Sequence, residues 1–90
     1  MTVLIDQPRW PAHGTFWSHL VSDSGLTELH EFAGAQGIPR RGFDLDHYDV
    51  PLARFHALVA AGAVPVTNRE LIVALTTSGL RVSQRARRGL

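Results

Sequence analysis

The chain lacks cysteine and lysine altogether, and it has no long hydrophobic run. Without thiols it can form neither a disulfide framework nor a zinc–thiolate site, so any bound metal must be held by histidine or carboxylate side chains. No apolar stretch approaches the ~20 residues that a membrane-spanning helix needs. The opening MTVLID is interrupted at Asp6, too early for a signal peptide. We therefore predict a cytoplasmic protein that does not enter a membrane.

The basic residues are unevenly placed, although the formal net charge of +1 excludes a strong overall field. All of them are arginine, and the last ten positions contain Arg81, Arg85, Arg87 and Arg88. This tail predicts either weak contact with nucleic-acid phosphates or, as we favour, a frayed and solvated terminus. With 90 residues and 44% apolar content, we expect one domain over 1–80 and a disordered basic tail over 81–90.

Apolar strand patterns alternate with helical patterns along the body of the chain. Strands are predicted near 2–6, 16–22, 42–45 and 63–66, and helices over 25–36, 51–62 and 67–79, with a loop at 7–15. This order predicts a small single-domain α/β layer structure, with a short, mainly parallel sheet of about four strands and three helices. Pro65 cannot donate a ladder hydrogen bond, which places the last strand at an edge.

The third helix has the clearest local signal. In TNRE, the Thr67 hydroxyl can accept from the amide of Glu70 while the Glu70 carboxylate accepts from the amide of Thr67, which is a capping box. Gly79 has the position of a C′ residue. Helical spacing of apolar residues predicts the inner faces of the first two helices as Leu26, Leu29, Ala33 and Leu52, Phe55, Val59.

Polar residues follow the predicted strands, and the carboxyl ends of parallel strands meet at one rim. The stretch FDLDHYDV (43–50) is interpreted as a strand-to-helix turn at that rim. Oxygen ligands from Asp6, Asp23 and Asp49 would suit Mg²⁺ or Mn²⁺, and His19 or His47 would serve as the general base or as a nitrogen ligand. Asp44 and Asp46 are predicted to be solvated.

Each of these residues also has a structural role open to it. Asp23 can cap the first helix, and Asp49 precedes the second helix, where a carboxylate is favoured by free amides. Arg54 can pair with Asp46 or Asp49 from one turn into that helix. His30 lies on the apolar face of the first helix, where a core histidine with one hydrogen bond is the usual case.

Several strings together resemble a family of small bacterial and tailed-phage domains of unknown function. They are VLIDQPRWPAHG, SHLVSD, ELHEFA, HYDVP and GAVPVTNRE, which contain the motifs SHxxxD, ELHxxA, HYD and GAV. The resemblance covers residues 2–79 and implies no established activity. It implies further favoured positions, which we expect to bind a ligand: Ser18, His30, Tyr48, Arg54 and Arg69.

Three functions compete on this sequence. The favoured one is an accessory module that binds a small molecule or a protein partner through the polar rim. The alternative is a Mg²⁺- or Mn²⁺-assisted enzyme acting on a phosphate-containing substrate such as a nucleotide or nucleic acid, with the ion held by Asp6, Asp23 and Asp49. The third is a nucleic-acid accessory protein that uses the arginine tail and the tryptophan loop. No nucleophile motif, phosphate-binding glycine loop or zinc pattern is present.

Overall fold

The computed structural model describes residues 2–82 of the chain. The strands within them are β1 (Val3–Ile5), β2 (Trp10–Ala12), β3 (Thr15–Ser22), β4 (Phe43–Asp44), β5 (His47–Pro51) and β6 (Val64–Pro65). The helices are α1 (Leu26–Ala35), α2 (Leu52–Ala60) and α3 (Asn68–Thr77), with one turn of 3₁₀ helix at Arg40–Gly42. The three predicted helices are therefore confirmed. None of the helices in this part of the chain has the length and apolar character needed to cross a bilayer.

The sheet is mixed and mostly antiparallel, with the order β4-β5-β3-β1-β6 and with β2 paired to β3. Only β1 and β6 run parallel, while β3 is antiparallel to β1, β2 and β5. The prediction of a mainly parallel sheet of about four strands is wrong. A parallel crossover needs a dozen or more residues, and the segment 6–14 between β1 and β3 is too short for one. The edge position predicted for the strand containing Pro65 is confirmed.

Two tight hairpins were not predicted. His13 and Gly14 connect β2 to β3 with φ angles of 49° and 77°, as two-residue hairpin loops with the twist of the strands require. The loop expected at 7–15 thus contains a strand. Leu45 and Asp46 also connect β4 to β5 as a two-residue loop, in which Leu45 has a positive φ of 61°. FDLDHYDV is therefore a hairpin whose second strand leads into α2, rather than a strand-to-helix turn.

Alternating side chains divide the core into two layers, because successive residues of a strand face opposite sides of the sheet. On one side, Ile5, Leu20 and Val50 pack against α1 and α2, which contribute Leu29 and Phe55 among others. On the other side, Leu4 and Val21 pack against α3 through Leu71 and Leu75. The sheet is consequently covered by two helices on one face and by one helix on the other.

The inner faces of the helices largely follow their apolar spacing. Leu29 and Ala33 of α1 are buried, as predicted. In α2 the buried residues are Phe55 and Leu58, whereas Leu52 is exposed, so its predicted place on the inner stripe is wrong. Pro51 ends β5, and α2 begins with Leu52 at the rim of the sheet, where its side chain lies outside the packed layer.

The capping box at the start of α3 is confirmed. The Thr67 hydroxyl accepts from the Glu70 amide at 3.0 Å, and the Glu70 carboxylate accepts from the Thr67 amide at 2.9 Å. These hydrogen bonds hold the pKa of Glu70 below its usual value. Gly79 follows the helix with a φ of 83°, as expected for a C′ residue.

We expect Thr67→Ala to lower the free energy of unfolding by about 1 kcal/mol, because it removes the acceptor for the Glu70 amide. The measurement is urea unfolding of the full chain. Thr76→Ala is the matched control, since Thr76 is an exposed residue inside the same helix and alanine is the better helix former. Equal stability of Thr67→Ala and the wild type would contradict a stabilising cap.

His30 and Tyr48 form a pair between α1 and the sheet. His30 Nδ1 lies 2.7 Å from the Tyr48 hydroxyl, and the His30 ring meets that of Phe43 edge-on at 4.6 Å between centroids. Burial, together with the positive charge of Arg40, lowers the pKa of His30. His30 is thus a half-buried histidine with one hydrogen bond, as expected for a histidine on the apolar face of a helix.

Because the pKa of His30 is lower in the folded state than its usual value of 6.5, the free energy of unfolding depends on pH in that range. Above the unfolded-state pKa His30 is neutral in both states. Below it, the unfolded chain takes up a proton more readily, so stability falls as the pH falls. We expect the advantage of the wild type over His30→Gln in unfolding free energy to shrink between about pH 7.5 and about pH 5.5. An advantage that grows on acidification would contradict this.

Candidate functional site

Polar side chains interrupt or follow the apolar ones of β1, β3 and β5 on the sheet face that α3 covers, and His19 and His47 line a small cavity there beside α3. Asp6 follows Ile5, and its amide donates to the His19 carbonyl at 3.2 Å. His19 is in turn the cross-strand partner of Asp49. His47 lies two residues before Asp49, so both face the same side of β5. The register of three neighbouring strands therefore brings these four residues together on the α3 face.

Asp6 holds the ring of His19. Its carboxylate is buried, with 1% of the residue exposed, and it lies 2.7 Å from His19 Nδ1. It also accepts from the His19 amide at 2.6 Å and from the Asn68 side chain at 2.9 Å. Burial by itself would raise the pKa of Asp6, but the hydrogen bonds from His19 and Asn68 outweigh it and lower that pKa. An ionised carboxylate can accept a proton from Nδ1, and Nε2 of His19 lies on the other side of the ring from Asp6.

Asp46 holds the ring of His47 in the same manner. It is fully buried in the β4–β5 hairpin, and one oxygen lies 2.7 Å from His47 Nδ1. The other oxygen accepts from the Val82 amide at 2.8 Å and lies 3.5 Å from the Arg81 guanidinium. The expectation that Asp46 is solvated is wrong, because the two-residue turn directs its side chain inward.

His47 lies between two carboxylates. Its Nε2 is 3.2 Å from Asp49 Oδ1, on the side opposite Asp46. Burial lowers the pKa of His47, but the hydrogen bonds to Asp49 and Asp46 and their negative charges outweigh it, and the pKa is raised. A positive charge is therefore favoured at this point of the structure.

His19, His47 and Asp49 form what we call the His–Asp cluster. Each offers one donor atom, and these atoms all lie within 4.8 Å of one another. The two imidazole rings meet edge-on at 5.1 Å between centroids, and the Trp10 ring packs 5.1 Å from that of His19. The Asp49 side chain is 46% exposed, so the cluster is open to solvent on one side.

Other residues predicted at the rim lie elsewhere. Asp23 pairs with Thr2 through both its backbone and its carboxylate, which places it beside the start of β1, whereas Asp6 follows the end of that strand. The shared rim predicted for Asp6 and Asp23 is wrong, because β3 runs antiparallel to β1. Arg69 lines a shallow cavity with Asp23, away from the His–Asp cluster.

Of the remaining expected ligand-binding residues, Tyr48 and Ser18 lie on the opposite face of the sheet from the His–Asp cluster, while Arg54 lines a groove that Asp49 also lines. Tyr48 is buried on the α1 face of the sheet, where its hydroxyl forms a hydrogen bond with His30. Ser18 is also buried, and its hydroxyl has no hydrogen-bond partner within residues 2–82. Arg54 donates to the Gln36 carbonyl instead of pairing with Asp46 or Asp49.

Sequence reasoning missed three contributors, namely Asp46, Asn68 and Trp10. One signal for Asp46 was available: HYDV alternates polar and apolar residues, which is typical of a half-buried strand. A strand there makes Leu45–Asp46 a two-residue turn. No local pattern indicates Asn68 or Trp10, since their contacts with Asp6 and His19 depend on tertiary packing.

The C-terminal segment reaches this region as well. Arg81 and Val82 both contact Asp46. Residues 83–90 of the proposed tail lie outside the described part of the chain, so the disordered tail stays a prediction.

Comparison with known proteins identifies the family. No curated protein and no solved structure matches the chain. A family model described as "Protein of unknown function (DUF4031)" matches residues 3–78, which is most of the described fold and includes every member of the His–Asp cluster. The chain belongs to the DUF4031 family.

Proposed function

We propose that the His–Asp cluster binds one divalent transition-metal ion, and that the ion serves as the anchor for a further ligand. The ligands to the ion would be the Nε2 atoms of His19 and His47 and the carboxylate of Asp49. The observation that carries the proposal is the paired arrangement of the histidines, in which each ring has its Nδ1 on a buried carboxylate.

Histidines that bind metals nearly always donate their second nitrogen to a carboxylate or carbonyl, which sets the tautomer and the ring orientation. Asp6 and Asp46 are placed to do this for His19 and His47. Donors ~2.1 Å from a tetrahedral ion lie roughly 3.4 Å apart. The donor atoms of the cluster, all within 4.8 Å of one another, would reach that spacing by small side-chain rotations.

The charges around the cluster also support a cation. Asp6, Asp46 and Asp49 surround the two imidazoles, and the raised pKa of His47 shows that the neighbouring carboxylates favour a proton on its ring. An ion would displace that proton from Nε2, since metal ligands must be deprotonated. Metal binding is therefore expected to release a proton.

The donor set restricts the metal. Two imidazoles and one carboxylate suit Zn²⁺, Fe²⁺, Co²⁺ and Mn²⁺, whereas Mg²⁺ prefers oxygen ligands throughout. Of the two ions expected from the sequence, Mn²⁺ fits the cluster and Mg²⁺ does not. Three protein ligands leave at least one coordination position open, which is where a bound molecule would attach. The accessory module favoured from the sequence would therefore bind its small molecule or protein partner through the metal ion.

We expect the chelator-treated full chain to take up one equivalent of Co²⁺ with visible absorption bands, and to be stabilised by Zn²⁺ or Mn²⁺ but not by Mg²⁺. At a hundred times the dissociation constant the stabilisation is about 2.7 kcal/mol. His19→Asn and His47→Asn keep a donor for Asp6 and Asp46 but lack Nε2, and should abolish these effects, as should Asp49→Asn.

Asp44→Asn is the matched control, because Asp44 is an exposed carboxylate of the same hairpin outside the His–Asp cluster. Asp6→Asn should weaken metal binding by about 10- to 100-fold through loss of ring orientation. Unaltered Co²⁺ binding by His47→Asn and Asp49→Asn would refute the site.

The open coordination position supports a second candidate, a metal-assisted hydrolase of phosphate-containing substrates. A metal in such a site can activate a water molecule and polarise a phosphoryl oxygen. This candidate predicts that the Mn²⁺- or Zn²⁺-loaded chain hydrolyses bis(p-nitrophenyl) phosphate, and that Asp49→Asn removes the activity. Metal binding without turnover would leave the binding module as the function.

A further inference from the structure

We propose that the groove beside the His–Asp cluster binds a nucleoside phosphate, with the base stacked on Trp10 and the phosphate held by the cluster-bound ion and Arg41. This inference rests on the proposed metal site. The groove has a volume of about 820 Å³, which is within the usual range for small-molecule sites. Asp49 lines the groove and also belongs to the cluster, so a molecule in the groove lies beside the ion.

Several aromatic side chains line the groove. Both tryptophans of the chain line this groove, together with Phe43 and His13. The β2–β3 hairpin pairs Trp10 with Trp17 across the strands, and the Trp17 indole donates to the Ala12 carbonyl at 2.9 Å, which fixes the second ring. Trp10 is 44% exposed, so much of its surface is available to a ligand. Flat aromatic surfaces of this kind stack nucleobases.

The charged side chains of the groove also favour a nucleoside phosphate. Arg41 and Arg54 line the groove together with Asp44 and Asp49, and an ion in the cluster would add positive charge beside it. The loaded groove would then be cationic, which favours an anionic ligand. Arg41 is exposed and makes no ion pair within residues 2–82, so its guanidinium is available for a phosphate.

The arginines of the groove also limit the length of a nucleic-acid ligand. Tracking a long single strand requires a row of cations along the backbone, and among residues 2–82 two arginines line this groove. The groove therefore suits one nucleotide, either free or at the end of a strand. An apolar peptide would fit the aromatic lining, but it would have no anionic group to contact the ion or Arg41.

The test is isothermal titration of the Mn²⁺-loaded full chain with AMP, adenosine, inorganic phosphate and a single-stranded DNA decamer. We expect AMP to bind at least roughly tenfold more tightly than adenosine or phosphate alone, because only AMP uses both halves of the site. AMP should also quench tryptophan fluorescence, since both tryptophans line the groove. Binding of the decamer in place of AMP, with the same dependence on Trp10 and on Mn²⁺, would identify a strand end as the source of the nucleotide.

Matched variants separate the parts of the site. Trp10→Ala should weaken AMP binding roughly tenfold or more, whereas Trp10→Phe should retain most of it. Phe16→Ala should have no effect, because Phe16 is an equally exposed aromatic residue of the same hairpin outside the groove. Arg41→Gln should weaken binding while Arg40→Gln does not. Melting temperatures would show that each variant is folded.

The outcomes distinguish this inference from the metal site. If Mn²⁺ binds but AMP and the decamer do not, or if their binding is unchanged in Trp10→Ala, the nucleotide inference is overturned and the metal site stands. Equal affinity for AMP with and without Mn²⁺ would likewise overturn it. If no metal binds, the proposed function itself fails.

Discussion

The two-residue period of β3 and β5 is the constraint on which the rest of the structure depends. Leu20 and Val50 face the layer of α1 and α2, while their neighbours His19 and Asp49 face the opposite side. A register slip of one residue would exchange the two sets. It would bury the histidine and the carboxylate in an apolar layer and expose the aliphatic side chains. Core packing and the His–Asp cluster are therefore specified by the same alternation.

Two buried carboxylates connect this sheet face to α3. A buried carboxylate is costly unless several donors satisfy it, and the donors to Asp6 and Asp46 come from different parts of the chain. Asn68, at the start of α3, donates to Asp6, and Val82, after the end of α3, donates to Asp46. The first turn of α3 and the segment after the helix are thus hydrogen-bonded to the residues that orient the histidines. A hydrogen bond from a neutral donor to a charged group typically contributes about 1.5–3 kcal/mol.

The His–Asp cluster and the groove require different features of the fold. Two histidines held by buried carboxylates need a rigid frame, which β1, β3 and β5 supply through their hydrogen-bond ladder. The aromatic groove needs accessible rings, which the short β2–β3 hairpin presents at the margin of the sheet. Trp10 belongs to both, because its ring packs on His19 and lines the groove. Under the proposed function this contact would couple the metal to its bound ligand.

Local features of the sequence determined the helices. The apolar face of α1, the capping box of α3 and the glycine after α3 each depend on residues a few positions apart. Such patterns act within about one turn of backbone and can therefore be identified from neighbouring residues. The edge position of Pro65 follows from its missing amide hydrogen, which is likewise a property of the residue itself.

Tertiary structure alone decided which polar residues meet. Asp6, His19, His47 and Asp49 were expected to be neighbours at the ends of parallel strands, yet they come together because β3 runs antiparallel between β1 and β5. The same antiparallel pairing carries Asp23 to the other end of the sheet. Strand direction and register depend on contacts between distant segments, and the burial of Asp46 depends on a turn and on the chain after α3. No local pattern encodes these contacts, since their energies arise only when the strands and α3 are packed together.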